Sequence, residues 1–220
     1  MEIVLTPALL RAAYEQGLFP MAFGADSPYL QWICPEKRGQ LSITGMHISR
    51  SLKKQIRKAG YEITTDTAFS EVIRFCAQKR ETRPETWINH AIIEGFEGLH
   101  AQGLAHSVEY RENGQLRGGL YGLALGGAFF GESMFSERTA ASKIALVHLA
   151  ARLWRGGFMM LDTQFTNAHL EQFGVFEVAH EAYMKELQSA LKIHADFKLP
   201  GLSEAQILED YFAMRAEFTK

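Results

Sequence analysis

The stretch from Leu116 to Gln164 constrains this chain most. It opens as LRGGLYGLALGGAFFGESMFS, runs through the nearly all-apolar ASKIALVHLAARLW and closes as FMMLDTQ. Asn113-Gly114, after the alternating segment Ser107–Arg111, is a hairpin signal, and Gly126-Gly127 turns Leu120–Leu125 back onto Ala128–Phe135. The pattern predicts antiparallel strands, a helix over Ala140–Trp154 that is apolar nearly all round and therefore buried, and a strand over Phe158–Gln164. Three polar residues, Glu132, Asp162 and Gln164, stand in this apolar frame. Asp162 and Gln164 are two apart, so a strand points them to one face. They are either a functional pair or polar groups at a strand end satisfied by loop backbone.

Helical and extended patterns alternate elsewhere. Thr6-Pro7 starts a helix that Gly17 ends, and Leu41–Ile43 fits a short strand. Helices are predicted over His47–Lys58, Ala68–Gln78 (capped by Asp66 or Thr67), Ala91–Gln102, Asn167–Phe173, Glu181–Leu191 and Glu204–Phe218. Further strands are predicted at Tyr61–Thr65 and Phe176–Val178. Residues 18–39 carry three prolines and no clean period, so 1–36 reads as a small N-terminal unit, 37–195 as the main domain and 196–220 as a tail. The fold class is mixed α/β around one central sheet, in the element order of GNAT-like acyltransferases. The junction Ser136–Ala141, where a coenzyme A enzyme of that kind cradles pyrophosphate on glycines, holds no glycine and carries Glu137, which disfavours coenzyme A.

Charge is uneven. Residues 50–83 hold nine basic and four acidic side chains, +5, so with −2 for the whole chain the remainder carries −7. Arg50, Lys53, Lys54, Arg57 and Lys58 lie on one predicted helix, as a polyanion-binding face or a solvated one. Cys34 and Cys76 form no CxxC, the histidines show no ligand spacing, His148 falls on an apolar helix face, and Ser133 lies outside a G-x-S-x-G elbow. The longest uncharged stretch, Gly118–Gly131, is shorter than the roughly 20 residues of a membrane span, and MEIVLTP shows no signal-peptide pattern. The expectation is a soluble, cytoplasmic protein with no membrane partner.

Several motifs in order resemble one family: AYEQGLFP (Ala13–Pro20), HISRSLKK (His47–Lys54), TWIN (Thr86–Asn89), AHSVE (Ala105–Glu109), GGLYGL (Gly118–Leu123), FFGESMFS (Phe129–Ser136), ASKIAL (Ala141–Leu146) and LDTQF (Leu161–Phe165). Together they are similar to the leucyl/phenylalanyl-tRNA–protein transferases. The resemblance implies a GNAT-like domain behind a small N-terminal domain. It also implies transfer of Leu or Phe from leucyl- or phenylalanyl-tRNA to the N-terminal amine of proteins beginning with Arg or Lys, marking them for N-end degradation. No metal or dissociable cofactor is implied. By the same resemblance Trp87, Tyr14 and Phe96 fall at aromatic positions for the 3′ adenosine, and Leu120, Phe129, Met134, Leu149 and Leu161 line the amino-acid pocket. Met21 stands where many relatives have Trp, and Glu177–His180 lacks an arginine found in relatives.

The residue chemistry runs alongside. A single-stranded 3′ end is held by aromatic stacking and a basic surface. Trp87 in a polar loop suits the first, although it could equally be a core anchor, and the five pocket residues could be plain core. An amine acceptor with a cationic side chain calls for carboxylates. Asp162 and Gln164 are expected to orient the amine and accept its proton, and Glu132 to hold the acceptor's basic side chain or to position the amine. Rival readings are a GNAT-like acyltransferase with another donor and a non-catalytic RNA-binding protein on the same scaffold.

Overall fold

A computed structural model describes residues 4–79 and 84–217. Arg80 and Arg83 of the basic segment and the expected helix end at Phe218 lie outside these residues. Helix α1 (Pro7–Glu15) starts as expected, with the Thr6 hydroxyl accepting from Leu9 N–H. An antiparallel pair, β1 (Phe19–Ala22) and β2 (Leu30–Ile33), follows in the segment that showed no period. The strand expected at Leu41–Ile43 is instead β3 (Lys37–Leu41). Then come α2 (Arg50–Ile56), β4 (Glu62–Thr65), α3 (Phe69–Ala77), α4 (His90–Ala101), β5 (Ala105–Glu112), β6 (Gln115–Leu125), β7 (Ala128–Ser136) and α5 (Ala141–Arg155). The chain continues through β8 (Met160–Gln164), α6 (Ala168–Glu171), β9 (Phe176–Ala179), α7 (His180–Ala190) and α8 (Glu204–Glu217).

Seven strands form one mixed sheet in the order β4-β5-β6-β7-β8-β3-β9. The β5-β6-β7 meander is antiparallel, and its first turn places Asn113 and Gly114 at φ 51 and 73, the conformation of a two-residue primed turn. β8 joins β7 in parallel after the crossover through α5. Strand alternation sorts the apolar side chains into two cores. Leu120, Phe129 and Leu161 meet α2, α5 and α8 on one face. Tyr121, Phe130 and Met160 meet α1, α3, α4 and α7 on the other. The architecture is therefore helices on both faces of a mixed sheet, an acyltransferase-like α/β domain with a small N-terminal part. Among the described residues no helix is long and apolar enough to cross a membrane.

The start of α3 departs from expectation. Its N-cap, Ala68, has no side-chain oxygen to offer, and neither Asp66 nor Thr67 caps it. The buried Glu109 carboxylate does so from β5, accepting from Thr67 N–H and Ala68 N–H at 3.0 Å each. Asp66 turns to Ser107 N–H (3.0 Å) and the His106 ring (2.8 Å).

Candidate active site

β7 and β8 pair over only three positions, Ala128↔Met160, Phe129↔Leu161 and Phe130↔Asp162. β7 then runs on along β6 to Ser136, and a cavity of about 700 Å³ lies against the residues beyond the last pair. Two bulges shape its mouth. The β6–β7 register passes from Tyr121↔Ser133 to Gly122↔Gly131, so Glu132 is the extra residue of β7. The β3–β8 register passes from Gly39↔Gln164 to Gln40↔Asp162, making Thr163 the extra residue of β8. Each bulge faces a glycine with no room for a side chain. A Cβ on Gly122 would lie 2.3 Å from Phe130 O, and one on Gly39 would lie 2.6 Å from Phe165 C.

Two polar clusters meet at Gln164. In the first, Arg38 Nε lies 3.0 Å from each oxygen of Asp162, and Nη1 donates to Gly17 O at 2.8 Å. Nη2 stands 2.9 Å from Oδ2 as an ion pair outside hydrogen-bond alignment. Tyr183 OH donates to Oδ2 and Gln164 N–H to Oδ1, both at 2.7 Å. The guanidinium lies 4.7 Å from the centroids of both the Phe19 and Tyr183 rings. Burial works against the charge of Arg38, but Asp162 more than offsets it and the arginine pKa is raised. Burial and then the Asp162 charge push the Tyr183 phenol up, so it remains a donor.

In the second cluster Tyr14 OH (2.7 Å) and Gln164 Nε2 (2.9 Å) both donate to Oε1 of Glu132. Oε2 is buried with no hydrogen-bond partner among the described residues. Burial, reinforced by the Asp162 charge, pushes the Glu132 carboxyl up to about 8 against the Tyr14 and Gln164 hydrogen bonds and the Arg38 charge. The Tyr14 phenol is raised by burial and by Glu132, so it too stays a donor. Gln164 has φ 59 and is the centre of a three-residue turn closed by Phe165 N–H to Thr163 O at 2.6 Å. That conformation is strained for a residue with a side chain, and both clusters hold it.

The expected residues separate into three sets. Trp87, Leu120, Met134, Leu149 and Leu161 line the cavity with Glu132 and Gln164. Trp87 is held there by its carbonyl, which accepts from Ala22 N–H at 3.0 Å, and by Asn89, which caps α4. Asp162, Phe129, Tyr14 and Phe96 are all buried away from it. Phe129 packs beside Phe158 and Phe197, while Tyr14 meets Phe96 and Phe130 edge to face. Met21 is half-buried on β1 opposite Gln31. The helix expected over His47–Lys58 is shorter, α2 ending at Ile56; of its basic residues Arg50 and Lys54 are exposed and Lys53 is half-buried, Arg57 and Lys58 lie exposed just past its end, and none of the five lines this cavity.

Arg38 and Tyr183 were not expected, nor was His169 of α6. His169 lines the cavity from an exposed position, and partial desolvation and the Lys143 charge lower its pKa. Arg38 follows Glu36 and Lys37 in a stretch that reads as charged linker, so no local signal marks it as buried.

Comparison with known proteins points to one family. Residues 40–188 match the family model described as leucyl/phenylalanyl-tRNA protein transferase, and residues 4–36 match the model of that family's N-terminal domain. A leucyl/phenylalanyl-tRNA–protein transferase of Paramagnetospirillum magneticum is 54% identical over 187 residues, 85% of this chain and 90% of its own. The proteins of the same name from Rhodospirillum rubrum and Hyphomonas neptunium are 52% and 50% identical. Those matches cover 89% and 87% of this chain, and 92% and 74% of the relatives. With the family models spanning most of its length and half or more of the aligned residues shared with these relatives, the chain belongs to the leucyl/phenylalanyl-tRNA protein transferases, a family of aminoacyltransferases.

Proposed function

We propose that the protein transfers Leu or Phe from leucyl- or phenylalanyl-tRNA to the α-amine of proteins beginning with Arg or Lys. It acts in the cytoplasm and marks its products for N-end degradation. The observation that carries this reading is that Glu132, whose buried Oε2 has no hydrogen-bond partner among the described residues, lines a cavity together with Leu120, Met134, Leu149 and Leu161. An apolar wall with one adaptable thioether accepts both a branched and an aromatic side chain. Trp87 offers its ring to the terminal adenine, and Arg50, Lys53 and Lys54 of α2, with Arg57 and Lys58 just past its end, hold tRNA phosphates.

In the reaction the acceptor nitrogen bonds to the acyl carbon and the ester bond to the ribose oxygen breaks. The proton lost by the amine ends on the released hydroxyl. Glu132, raised to about 8, is matched to receive that proton and return it near neutral pH. Gln164 aligns the amine from the other side. Asp162, enclosed by Arg38 and Tyr183, is a positioning residue that acts through the backbone of Gln164. The ester is already activated, so holding the two reactants together supplies much of the acceleration.

The test is transfer of labelled Leu or Phe from charged tRNA to peptides, with purified protein and no coenzyme A. Peptides beginning with Arg or Lys should be labelled and one beginning with Glu should be poor, because its carboxylate would keep Glu132 in the protonated form that cannot take the amine's proton. Equal labelling of Arg-, Ala- and Glu-initiated peptides would overturn the acceptor reading. Absence of transfer from either tRNA would overturn the donor reading.

A further inference from the structure

Two cationic-type side chains stand at the edge of the active cavity without a part in the reaction described above. His169 lines the cavity from α6, and Ser142, the chain neighbour of Lys143 in the first turn of α5, lines it as well. Gln172 ties the pair together. Its Oε1 accepts from Lys143 Nζ and its Nε2 donates to His169 O, both at 2.6 Å. Lys143 is half-buried, and among the described residues its ammonium commits only that one of its three donors. Neither nitrogen of the His169 ring has a hydrogen bond among the described residues, and Phe173 lies beside the ring at 6.3 Å between centroids. Partial desolvation and the Lys143 charge hold that ring neutral at pH 7, with one N–H to offer.

No carboxylate among the described residues opposes an anion here. Glu132 is the one acidic residue lining the cavity, and its carboxyl, pushed up to about 8, is mostly uncharged near neutral pH. Gln172 also marks the way out of the cavity. Its carbonyl lies 2.8 Å from the His47 ring, and Phe173 O accepts from His47 N–H at 2.9 Å. Arg50, which opens α2, follows shortly after His47. An unbroken run of contacts therefore leads from the cavity wall at His169 through Gln172 to the start of the basic segment. With the donor's ester at Glu132 and Gln164, the rest of the tRNA continues from the 5′ side of the terminal ribose. The phosphate on that side is the one that crosses the rim.

We propose that Lys143 and His169 bind the phosphodiester joining the donor's terminal adenosine to the nucleotide before it, Lys143 by its charge and His169 by a ring N–H. This rests on the donor reading above and adds a phosphate contact at the cavity itself, ahead of those along α2.

The full chain is titrated by calorimetry with adenosine and with adenosine 5′-methylphosphate, which differ by a single phosphodiester charge. The wild type should bind the phosphodiester about tenfold more tightly, the scale of one hydrogen bond to a charged group. Lys143→Met should bring the two ligands within about threefold, while Lys143→Arg should keep the preference. His169→Ala should reduce it by about two- to threefold. Adenosine serves as the internal control for folding in each variant, and the KM for leucyl-tRNA should rise in Lys143→Met. Equal affinity of the wild type for the two ligands overturns the inference, whatever the variants do. So does a preference that survives Lys143→Met. A preference lost in Lys143→Met with an unmoved KM for leucyl-tRNA overturns it too, since the rim then serves a free nucleotide. A wild type that binds leucyl-tRNA and neither small ligand removes this contact alone. One that binds none of the three removes the donor reading with it.

Discussion

The two clusters that share Gln164 are built from matching parts and left in opposite conditions. Each has a buried carboxylate taking a tyrosine hydroxyl at 2.7 Å. Asp162 adds an arginine and a backbone N–H, so both its oxygens are occupied. Glu132 adds only the Gln164 amide on the oxygen that Tyr14 already uses, and its other oxygen has none. A closed ion pair specifies geometry and leaves nothing for a substrate to displace. An open carboxylate costs stability and keeps a site free for a proton or an amine. The difference separates positioning from chemistry more clearly than residue type does, since both groups are carboxylates next to apolar core.

The comparison breaks most visibly at Asp162. Asp162→Asn leaves the Arg38 charge buried and uncompensated, which costs about 3–5 kcal/mol. Thermal unfolding should fall by roughly 6–20 °C, and adding Arg38→Met should recover much of it. A single variant as stable as the wild type would show that the cluster is not closed. Next in size is Glu132→Gln, which retains an oxygen for Tyr14 and Gln164 but removes the proton acceptor. Turnover should drop about 10²-fold while the unfolding temperatures, compared at pH 5 where Glu132 still holds its proton, agree within about 2 °C, and undiminished turnover would end the assignment.

The smallest effect sharpens the contrast through pH. The folded carboxyl of Glu132, near 8, holds its proton longer than its ordinary value of 4.5 allows. Its stabilising contribution is therefore full below about pH 4.5 and is lost as pH rises toward 8, by at most about 1.4 kcal/mol per unit. Unfolding scans from pH 5 to 8.5 should show this decline in the wild type and not in Glu132→Gln. Tyr14→Phe removes a hydrogen bond that favours the ionised form, worth about 1 kcal/mol. The rising limb of turnover should then move to higher pH, and a limb that stays in place would detach Tyr14 from Glu132.

Much of this was readable from residue order where local chemistry decides the outcome. Thr6-Pro7, Asn113-Gly114, the apolar run of α5 and the polar residues of β7 and β8 all carry their signal within a few positions. The segment from Phe19 to Leu41 does not. β1 and β2 are short, β2 is only half-buried, and β3 buries Arg38 and Gln40, so no apolar alternation is left to find. Arg38 is buried because of a partner 124 positions away. The cap of α3 likewise comes from Glu109, 41 positions beyond Ala68. Long-range polar pairing of this kind leaves no trace in a local period.

The bulge at Glu132 hides a change of parity that the composition of β7 conceals. Counted straight along the strand, Met134 shares the parity of Phe130, yet it packs with the opposite core, the one that holds Phe129, while Phe135 joins Phe130. The extra residue exchanges the faces of everything that follows it. Deleting Glu132 would close the bulge into an unbroken ladder with β6 and leave Met134 and Phe135 on their present faces, with only the carboxylate gone. The bulge is therefore a place where β7 can gain or lose a residue without transposing a wall of the cavity. Alignments that place a gap here describe a pocket with the same apolar walls and no Glu132.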